Sequence, residues 1–397
     1  MKSAYKIFMV CLICLSTLKG YSQGCPTSGY PDYYNCSDIA QFVIDYPSCS
    51  CLPNSLRLPY GGTSDLAGFP GLAQLDSISG NLFCNECDLS SLVGLENLTY
   101  VGGHITIDEP HGTLVNLQGL NNVSYIGEAL SLKECGDLLS THGLDNLQYV
   151  GSINIYECDE LIEIVGFEDI SEIPGSINLE ENYALPNLSG FSNFSTVGGD
   201  INIDEMDGLH SLEGLENIDA IGGNLIIRKN PILENLDALS SVISIGTNIN
   251  LWSNTSLNSL EGLFSVVEFN GEILVYNCES LTSLYGLENI EEQNITYLTI
   301  MNCENLNYCS LDNICSYITN DFGPSTIELN DGGCNSENEI TDMCALVEIN
   351  DTITESAFEK QLVLITDLLG RETTLKPNTP LLYIYEDNTV EKKIILE

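Results

Sequence analysis

The sequence predicts an all-β protein whose chain winds as a parallel β-solenoid of about ten turns. A Gly-Leu step returns at intervals of 23 to 25 residues, and short runs that alternate apolar and polar residues follow it. A fixed period of this length is typical of repeat architectures, and the alternation is typical of strands. The step begins at Gly71, Gly94, Gly119, Gly143, Gly166, Gly190, Gly214, Ala238, Gly262 and Gly286.

One repeat illustrates how each turn is built. Its apolar residues recur at every third position from Leu212 to Ile221, which fits a chain that bends while its apolar side stays inward. We interpret Gly222 and Gly223 as a turn with positive φ, which costs glycine little. Leu225 and Ile227 alternate with their neighbours and predict a strand. Stacked turns then form a parallel sheet with about 4.8 Å between strands.

A recurring Asn or Cys lies three positions after the second inward residue of each predicted strand. An Asn side chain donates and accepts hydrogen bonds, and a Cys thiol tolerates burial. We therefore expect a structural ladder inside a tight bend, interrupted at Pro110 and Met206. Its members are Cys87, Cys135, Cys158, Asn182, Asn230, Asn254, Cys278 and Cys303.

Cysteines that lie close together in or beside this ladder could form disulfides or bind zinc. Thiols are favoured over disulfides for the pairs Cys135/Cys158 and Cys278/Cys303, because parallel side chains hold the Cβ atoms apart. Cys84 and Cys87 form a C-x-x-C motif. Zinc is not favoured there, because no second such motif lies at metal-binding spacing.

The repeat S-L-x-G-L-x-x-L-x-x-I-G-G-x-L-x-I resembles that of the receptor L-domain, a relative of the leucine-rich repeat. The resemblance covers about residues 65–308. It implies a right-handed β-solenoid that binds proteins or peptides, or displays a surface. It supplies no catalytic residues.

Both ends of the solenoid carry distinctive segments. Residues 1–22 have the basic start and 12-residue apolar run of a secretory signal. In an exported chain, two sets of four cysteines indicate disulfide caps at 23–64 and 309–344, with the pairing left open. The first set is Cys25, Cys36, Cys49 and Cys51, and the second is Cys309, Cys315, Cys334 and Cys344.

After a polar linker at 345–360, residues 361–397 resemble the C-terminal sorting domain of the bacterial type IX secretion system. The matching residues are Asp367, Leu368, Leu369, Gly370, Arg371, Glu372, Lys392 and Lys393. The resemblance implies the type IX machinery as a partner. It also implies a secreted protein or one at the outer cell surface of a Gram-negative bacterium. The alternative is an ordinary small β-domain that closes the solenoid.

The charge balance excludes several partner classes. The chain has 57 Asp and Glu against 12 Lys and Arg, a formal net charge of −45. Nucleic acid and anionic membranes require cationic surfaces, so neither is an expected partner. We predict no transmembrane segment. The regular apolar pattern also argues against disorder.

Six glutamates occupy one position on six consecutive turns, which we interpret as an outward strand position. Unit charges about 5 Å apart repel by roughly 1 kcal/mol in water. Bound Ca²⁺ or a cationic partner would offset this repulsion, since Ca²⁺ takes carboxylate ligands. The alternative is a solvated acidic face. The residues are Glu86, Glu109, Glu134, Glu157, Glu181 and Glu205.

A different cluster follows on the next turns of the same predicted sheet. Arg228 and Lys229 precede Trp252, the single Trp of the chain, and Tyr276, while Tyr156 lies earlier in the same column. Exposed aromatics beside Arg are typical anchors for protein or glycan recognition. The alternative is a cross-strand aromatic stack that covers the sheet.

The sequence predicts a protein that is not an enzyme. The four histidines fall at different positions of the repeat, and none pairs with a nucleophile and an orienting acid. We therefore predict an exported, non-enzymatic binding or adhesion protein with no cofactor other than the Ca²⁺ considered above. A Ca²⁺-binding structural surface element is the alternative. A third reading, an enzyme acting on polysaccharide, rests only on analogy with other β-helices.

Overall fold

A computed structural model describes residues 33–58, 66, 69, 71–345, 362–366, 371, 381–385 and 390–393. It confirms the predicted parallel β-solenoid, with about 11 turns. The chain divides into two compact units, Met1–Asp342 and Met343–Glu397, which are described separately below.

The principal sheet of the first unit has one strand per turn, and each strand pairs in parallel with the strand of the next turn. In the 24-residue turns the register is regular, so that Leu225 lies between Ile201 and Ile249. In chain order the strands are Tyr33–Asn35, Ser55–Arg57, Leu82–Asn85, Ile105–Asp108, Tyr125–Lys133, Tyr149–Tyr156, Ile177–Glu180, Ile201–Asp204, Leu225–Arg228, Ile249–Trp252, Gly271–Tyr276, Ile295–Met301 and Ser325–Glu328.

Shorter elements complete each turn. Three short strands join the principal sheet at Cys51–Leu52, Ser77–Ile78 and Tyr100–Val101. A second parallel sheet contains Glu172–Ile173, Thr196–Val197, Ala220–Ile221, Ser244–Ile245 and Glu268–Phe269. Turns of 3₁₀ helix lie at Leu72–Gln74, Ser189–Phe191, Asp237–Leu239, Glu261–Leu263 and Glu292–Asn294. The α-helices are Cys36–Asp45, Asp312–Thr319 and a segment over 337–345.

The core is a set of apolar columns that run along the solenoid. Ile177, Ile201, Leu225 and Ile249 are each at most 1% exposed, and they occupy the same register position on four successive strands. Full burial of such a side chain contributes about 1.5–3 kcal/mol. One turn alone would leave this surface in water, so the turns are stable only together.

The Asn and Cys ladder lies inside the bend that follows each principal strand. Asn230 is fully buried; its Oδ1 accepts from the Met206 N–H at 3.1 Å, and its Nδ2 donates to the Ile203 carbonyl at 3.1 Å. The thiol of Cys278 donates weakly to the Leu251 carbonyl at 3.7 Å. Cys135, Cys158, Cys278 and Cys303 are free and buried.

The solenoid extends beyond the predicted limits of 65–308. Strand Ser325–Glu328, inside the predicted C-terminal cap, pairs in parallel with Ile295–Met301. Asn330 then repeats the ladder, because it accepts from the Cys303 N–H at 2.9 Å and donates to the Ile300 carbonyl at 2.8 Å. The prediction was too narrow because it followed the Gly-Leu step, which these outer turns lack.

The Gly-Gly step works by close approach, and our positive-φ interpretation was wrong. Neither Gly222 nor Gly223 has a φ in the left-handed region. A Cβ on Gly222 would lie 2.2 Å from the Gly198 carbonyl oxygen, and one on Gly223 would lie 2.2 Å from Asp200 Oδ1. The left-handed glycine of this turn is Gly214, with φ 112°.

The disulfides differ in part from the predicted caps. Cys309 bonds to Cys334, and Cys49, Cys315 and Cys344 are also disulfide-bonded. Cys51 is instead a free, exposed thiol 3.5 Å from Ser79 Oγ, so its assignment to a disulfide cap was wrong. Cys25 lies outside the described residues.

Cys87 is also not a free ladder thiol. It forms a disulfide with Cys84, with 5.6 Å between their Cα atoms. Cys84 occupies the last inward position of its strand, and Cys87 turns inward at the bend that follows. The two side chains therefore meet inside the same turn, within the Cα separation that a disulfide spans.

The second unit contains a three-stranded antiparallel sheet formed by Leu362–Thr366, Leu381–Tyr385 and Val390–Lys393. Lys392 and Lys393 belong to the last strand, and Arg371 is exposed. The remaining residues of the predicted sorting motif lie outside the described residues; these are Asp367, Leu368, Leu369, Gly370 and Glu372.

We predict that Gly222→Ala destabilises the solenoid by at least about 2 kcal/mol, because its Cβ meets a backbone carbonyl that the sheet holds in place. Denaturant unfolding followed by circular dichroism measures the change. Gly136→Ala is the matched control, since a Cβ there meets nothing within 4 Å. Equal stability of the two variants would contradict the close stacking of turns.

Candidate ligand-binding face of the principal sheet

The candidate cluster lies on the outward face of the principal sheet. In each four-residue strand the first and third residues are buried, and the fourth faces outward. Parallel pairing aligns these fourth residues, so that Asp204, Arg228, Trp252 and Tyr276 follow one another on successive strands. Lys229 follows Arg228 at the bend. The sheet therefore brings together four of the five predicted contact residues, Arg228, Lys229, Trp252 and Tyr276.

Trp252 is the centre of this cluster, which we name the Trp252 cluster after Arg228, Lys229, Trp252 and Tyr276. The guanidinium carbon of Arg228 and the Nζ of Lys229 each lie 5.9 Å from the Trp252 ring centroid. The Tyr276 ring meets Trp252 edge-on at 6.1 Å. All four side chains are half-buried. The cluster thus combines a cross-strand aromatic contact with a partly open surface.

Two acids on the preceding turn balance the two cations. Arg228 donates to Asp204 Oδ2 at 2.5 Å, and Lys229 pairs with Glu205. Asp204 is only 3% exposed. Its Oδ1 and the Nε of Arg228 have no hydrogen-bond partner among the described residues. The ion pair is therefore covered by its neighbours, and it fixes the position of the Arg228 side chain on the sheet.

Two residues before the outward fourth position, several strands carry Asn, but the strands of Arg228 and Tyr276 carry Ile226 and Leu274 there. Asn178 donates to Asn154 Oδ1 at 2.7 Å, while Asn202 and Asn250 each have a buried Oδ1 without a partner in the described part of the chain. Buried acceptors without partners cost about 1–3 kcal/mol each. These two amide oxygens therefore lower the stability of the sheet face rather than contribute to it.

Tyr156 does not belong to the cluster. It shares the column, but Glu180 and Asp204 stand between it and Arg228, which places it three strands away. Three strand spacings are about 14 Å. Burial, and then the charge of Glu180, raise the pKa of Tyr156. The side chain is an isolated aromatic within an acidic part of the sheet.

The six glutamates do not occupy strand positions, so that interpretation was wrong. They lie at the bend after each strand, in the left-handed region with φ between 48° and 55°. Their N–H groups continue the ladder of hydrogen bonds between turns; Glu157, for example, donates to the Glu180 carbonyl at 3.0 Å. Lys229, Ser253, Asn277 and Asn302 have the same conformation on later turns. The bend requires this left-handed backbone conformation. The alternation of apolar and polar residues in the sequence did not reveal it.

Neighbouring carboxylates along this column act on Glu157. Partial desolvation, followed by the charges of Glu134 and Glu181, raises the pKa of Glu157. Lys133 forms an ion pair with Glu134 at 3.0 Å, and Glu134 raises the pKa of Lys133. In the described part of the chain, no group of three or more His, Cys, Asp or Glu side chains is arranged to hold a metal ion.

Sequence reasoning missed the structural use of many other acids. In the recurring Gly-Leu-Glu-Asn segment, Glu216 accepts from the Gly214 N–H at 2.9 Å, and Asn217 donates to the Ser192 carbonyl of the previous turn at 2.7 Å. The same contacts recur in several turns. The repetition of Glu-Asn after Gly-Leu was the available signal. Some of the acidic side chains therefore stabilise the turns of the solenoid.

A tyrosine stack was also missed. Tyr100, Tyr125 and Tyr149 lie on three successive turns, with centroids 4.8 and 4.6 Å apart and nearly parallel rings. The sequence contained a signal for this stack, because a Tyr recurs after the Gly-Leu step at intervals of 25 and 24 residues. The rings are half-buried by one another.

Comparison of the sequence with protein-family models gives no match, and comparison with curated proteins gives none either. The resemblances to the receptor L-domain and to the type IX sorting domain therefore stay predictions. Among the described residues, no helix has the length and hydropathy needed to cross a membrane.

We predict that Glu157→Gln stabilises the protein at pH 7 by roughly 0.5 kcal/mol, a value that allows for solvent screening. A raised carboxyl pKa in the folded state means that folding favours the protonated form. The penalty is therefore present above that pKa and disappears as the pH falls through it. Denaturant unfolding at low ionic strength should show the two proteins converging between pH 7 and pH 4.

Glu172→Gln is the control, because Glu172 is exposed on the second sheet, away from this column. A destabilised Glu157→Gln variant, or a difference that grows as the pH falls, would contradict repulsion along the glutamate column.

Proposed function

We propose that this protein is an exported, non-catalytic binding or adhesion protein that presents the outward face of the principal sheet to a protein or glycan ligand. The observation that carries the proposal is the Trp252 cluster. It places two basic residues and two aromatic rings on three consecutive turns of the principal sheet. Between residues 33 and 345 the chain has 46 Asp and Glu, and its Lys and Arg residues there are Arg57, Lys133, Arg228 and Lys229.

The chemistry of this face supports binding. A half-buried Trp held by Arg and Tyr keeps a fixed orientation, so little side-chain entropy is lost when a ligand covers it. The ion pairs of Arg228 with Asp204 and of Lys229 with Glu205 hold the two cations beside the ring. A rigid aromatic centre with surrounding hydrogen-bonding groups is the usual composition of a binding hot spot.

The proposal places the protein outside the cell. The secretory signal at residues 1–22 and the likeness of residues 361–397 to a sorting domain support secretion through the type IX machinery to the outer surface. The disulfides Cys84–Cys87 and Cys309–Cys334 support the same compartment, because disulfides persist mainly in oxidising surroundings.

A structural role for Ca²⁺ along the glutamate column is the alternative. The raised pKa of Glu157 supports it, since a bound cation would relieve the repulsion from Glu134 and Glu181. Under this alternative, millimolar CaCl₂ raises the melting temperature of the wild type and has a smaller effect on Glu157→Gln. No shift in either protein would remove the alternative and leave the binding proposal standing.

We predict that Trp252→Ala weakens binding at least tenfold for ligands that the wild type captures on glycan and protein arrays, because it removes the centre of the cluster. Tyr156→Ala is the matched control, since it removes an aromatic from the same column but four strands away from Trp252. Melting temperatures establish that both variants are folded. Unchanged binding by Trp252→Ala would overturn the assignment of this face.

A further inference from the structure

A pocket on the solenoid contains two exposed aromatic rings and a carboxylate that the binding face does not use. It is lined by Ser240, Glu261, Phe264, Ser265 and Tyr285. These residues come from three successive turns, around the 3₁₀ segments Asp237–Leu239 and Glu261–Leu263 and the residue before Gly286. None of them belongs to the principal strands, so this surface is independent of the Trp252 cluster.

The two rings are exposed to an extent that is unusual for large aromatic side chains. Phe264 is 44% exposed and Tyr285 is 46% exposed, and their centroids lie 6.0 Å apart with the planes tilted by 33°. The repeat does not require aromatics here, because Ser240 and Glu288 occupy the position of Phe264 in the neighbouring turns. The pair therefore forms a local apolar floor that the fold itself leaves in contact with water.

The charge around the rings is negative. Partial burial, and then the carboxylates of Glu288 and Glu261, raise the pKa of Tyr285. Glu288 already accepts the Gly286 N–H at 2.5 Å. Glu261 makes no side-chain hydrogen bond or ion pair with any described residue, so its charge has no partner within the described chain. The nearest Lys or Arg in sequence is Lys229, which is paired with Glu205.

We propose that this pocket binds the cationic side chain of an Arg or Lys from a partner protein. The faces of Phe264 and Tyr285 attract a cation through their ring quadrupoles, and Glu261 supplies the opposite charge beside them. Ser240 and Ser265 offer hydroxyl acceptors for the remaining N–H groups. A neutral polar ligand would use only the hydroxyls, and an anion would be repelled by Glu261 and Glu288.

Two exposed aliphatic side chains come shortly after the pocket residues in the chain and add apolar surface to the same turns. Ile243 is 46% exposed and Val267 is 47% exposed, and the Val267 N–H donates to the Ile243 carbonyl, so they are adjacent. They follow the pocket residues Ser240 and Ser265 by three and two positions. The partner segment is therefore a basic residue flanked by apolar residues, which matches the pocket in both charge and hydrophobicity.

Ligand-observed NMR on the full chain tests this proposal with two small probes, N-acetyl-arginine amide and its neutral citrulline counterpart. We expect saturation transfer to the arginine probe and little to the citrulline probe. Tyr285→Leu, which keeps the charge and much of the apolar volume, should weaken arginine binding at least threefold, and Glu261→Gln should do the same. The wild-type preference for arginine should persist when NaCl is raised, because a ring–cation contact is screened less than surface attraction.

Matched controls separate a specific pocket from general attraction to an acidic protein. Phe322→Leu alters an aromatic that is 45% exposed elsewhere, and Glu272→Gln removes an exposed charge from a principal strand. Neither should change the affinity for arginine. Equal binding of both probes, or binding that Tyr285→Leu leaves unchanged and salt abolishes, would overturn the proposal. These results do not depend on Trp252, so they stand or fall separately from the proposed function.

Discussion

The stacking distance between successive turns is the constraint on which the rest of the structure depends. Strands about 4.8 Å apart exchange backbone hydrogen bonds along the whole principal sheet. At the bends, where the backbone alone cannot pair every group, buried Asn230 and its counterparts supply the missing donors and acceptors. At Gly222 the approach leaves no room for a Cβ. Apolar burial makes the stack stable, and these polar and steric details fix its spacing.

Regular stacking also determines the surface, because each position of the repeat becomes a column. In the glutamate column, desolvation and then the neighbouring carboxylates raise the pKa of Glu157. The column that mixes Asp204, Arg228, Trp252 and Tyr276 instead forms ion pairs and ring contacts between turns. Departures from the average repeat therefore mark the places where the surface differs chemically. Both proposed binding surfaces lie at such departures, the Trp252 cluster on the sheet and the Phe264–Tyr285 pocket beside the 3₁₀ segments.

Sequence periodicity predicted the parallel solenoid, the buried columns and the grouping of Trp252 with Arg228 and Tyr276, because a constant repeat length aligns equivalent residues. It did not predict the left-handed bend at the glutamates, since a strand end and a strand position look alike in an alternating pattern. It also missed the outer turns near Asn330, which keep the ladder contact without the Gly-Leu step. Contacts that depend on one pair of side chains, such as Cys84–Cys87 or Phe264–Tyr285, have no periodic signal.

Pulsed electron paramagnetic resonance between spin labels on one exposed column tests the stacking of turns most directly. In a Cys51→Ser background, labels at Leu139 and Thr282 are six turns apart, and labels at Ile162 and Thr282 are five turns apart. The stacking predicts mean distances of about 29 Å and about 24 Å, a difference of one strand spacing. Distances that do not grow by about 4.8 Å per turn would contradict the account and both surfaces built on it.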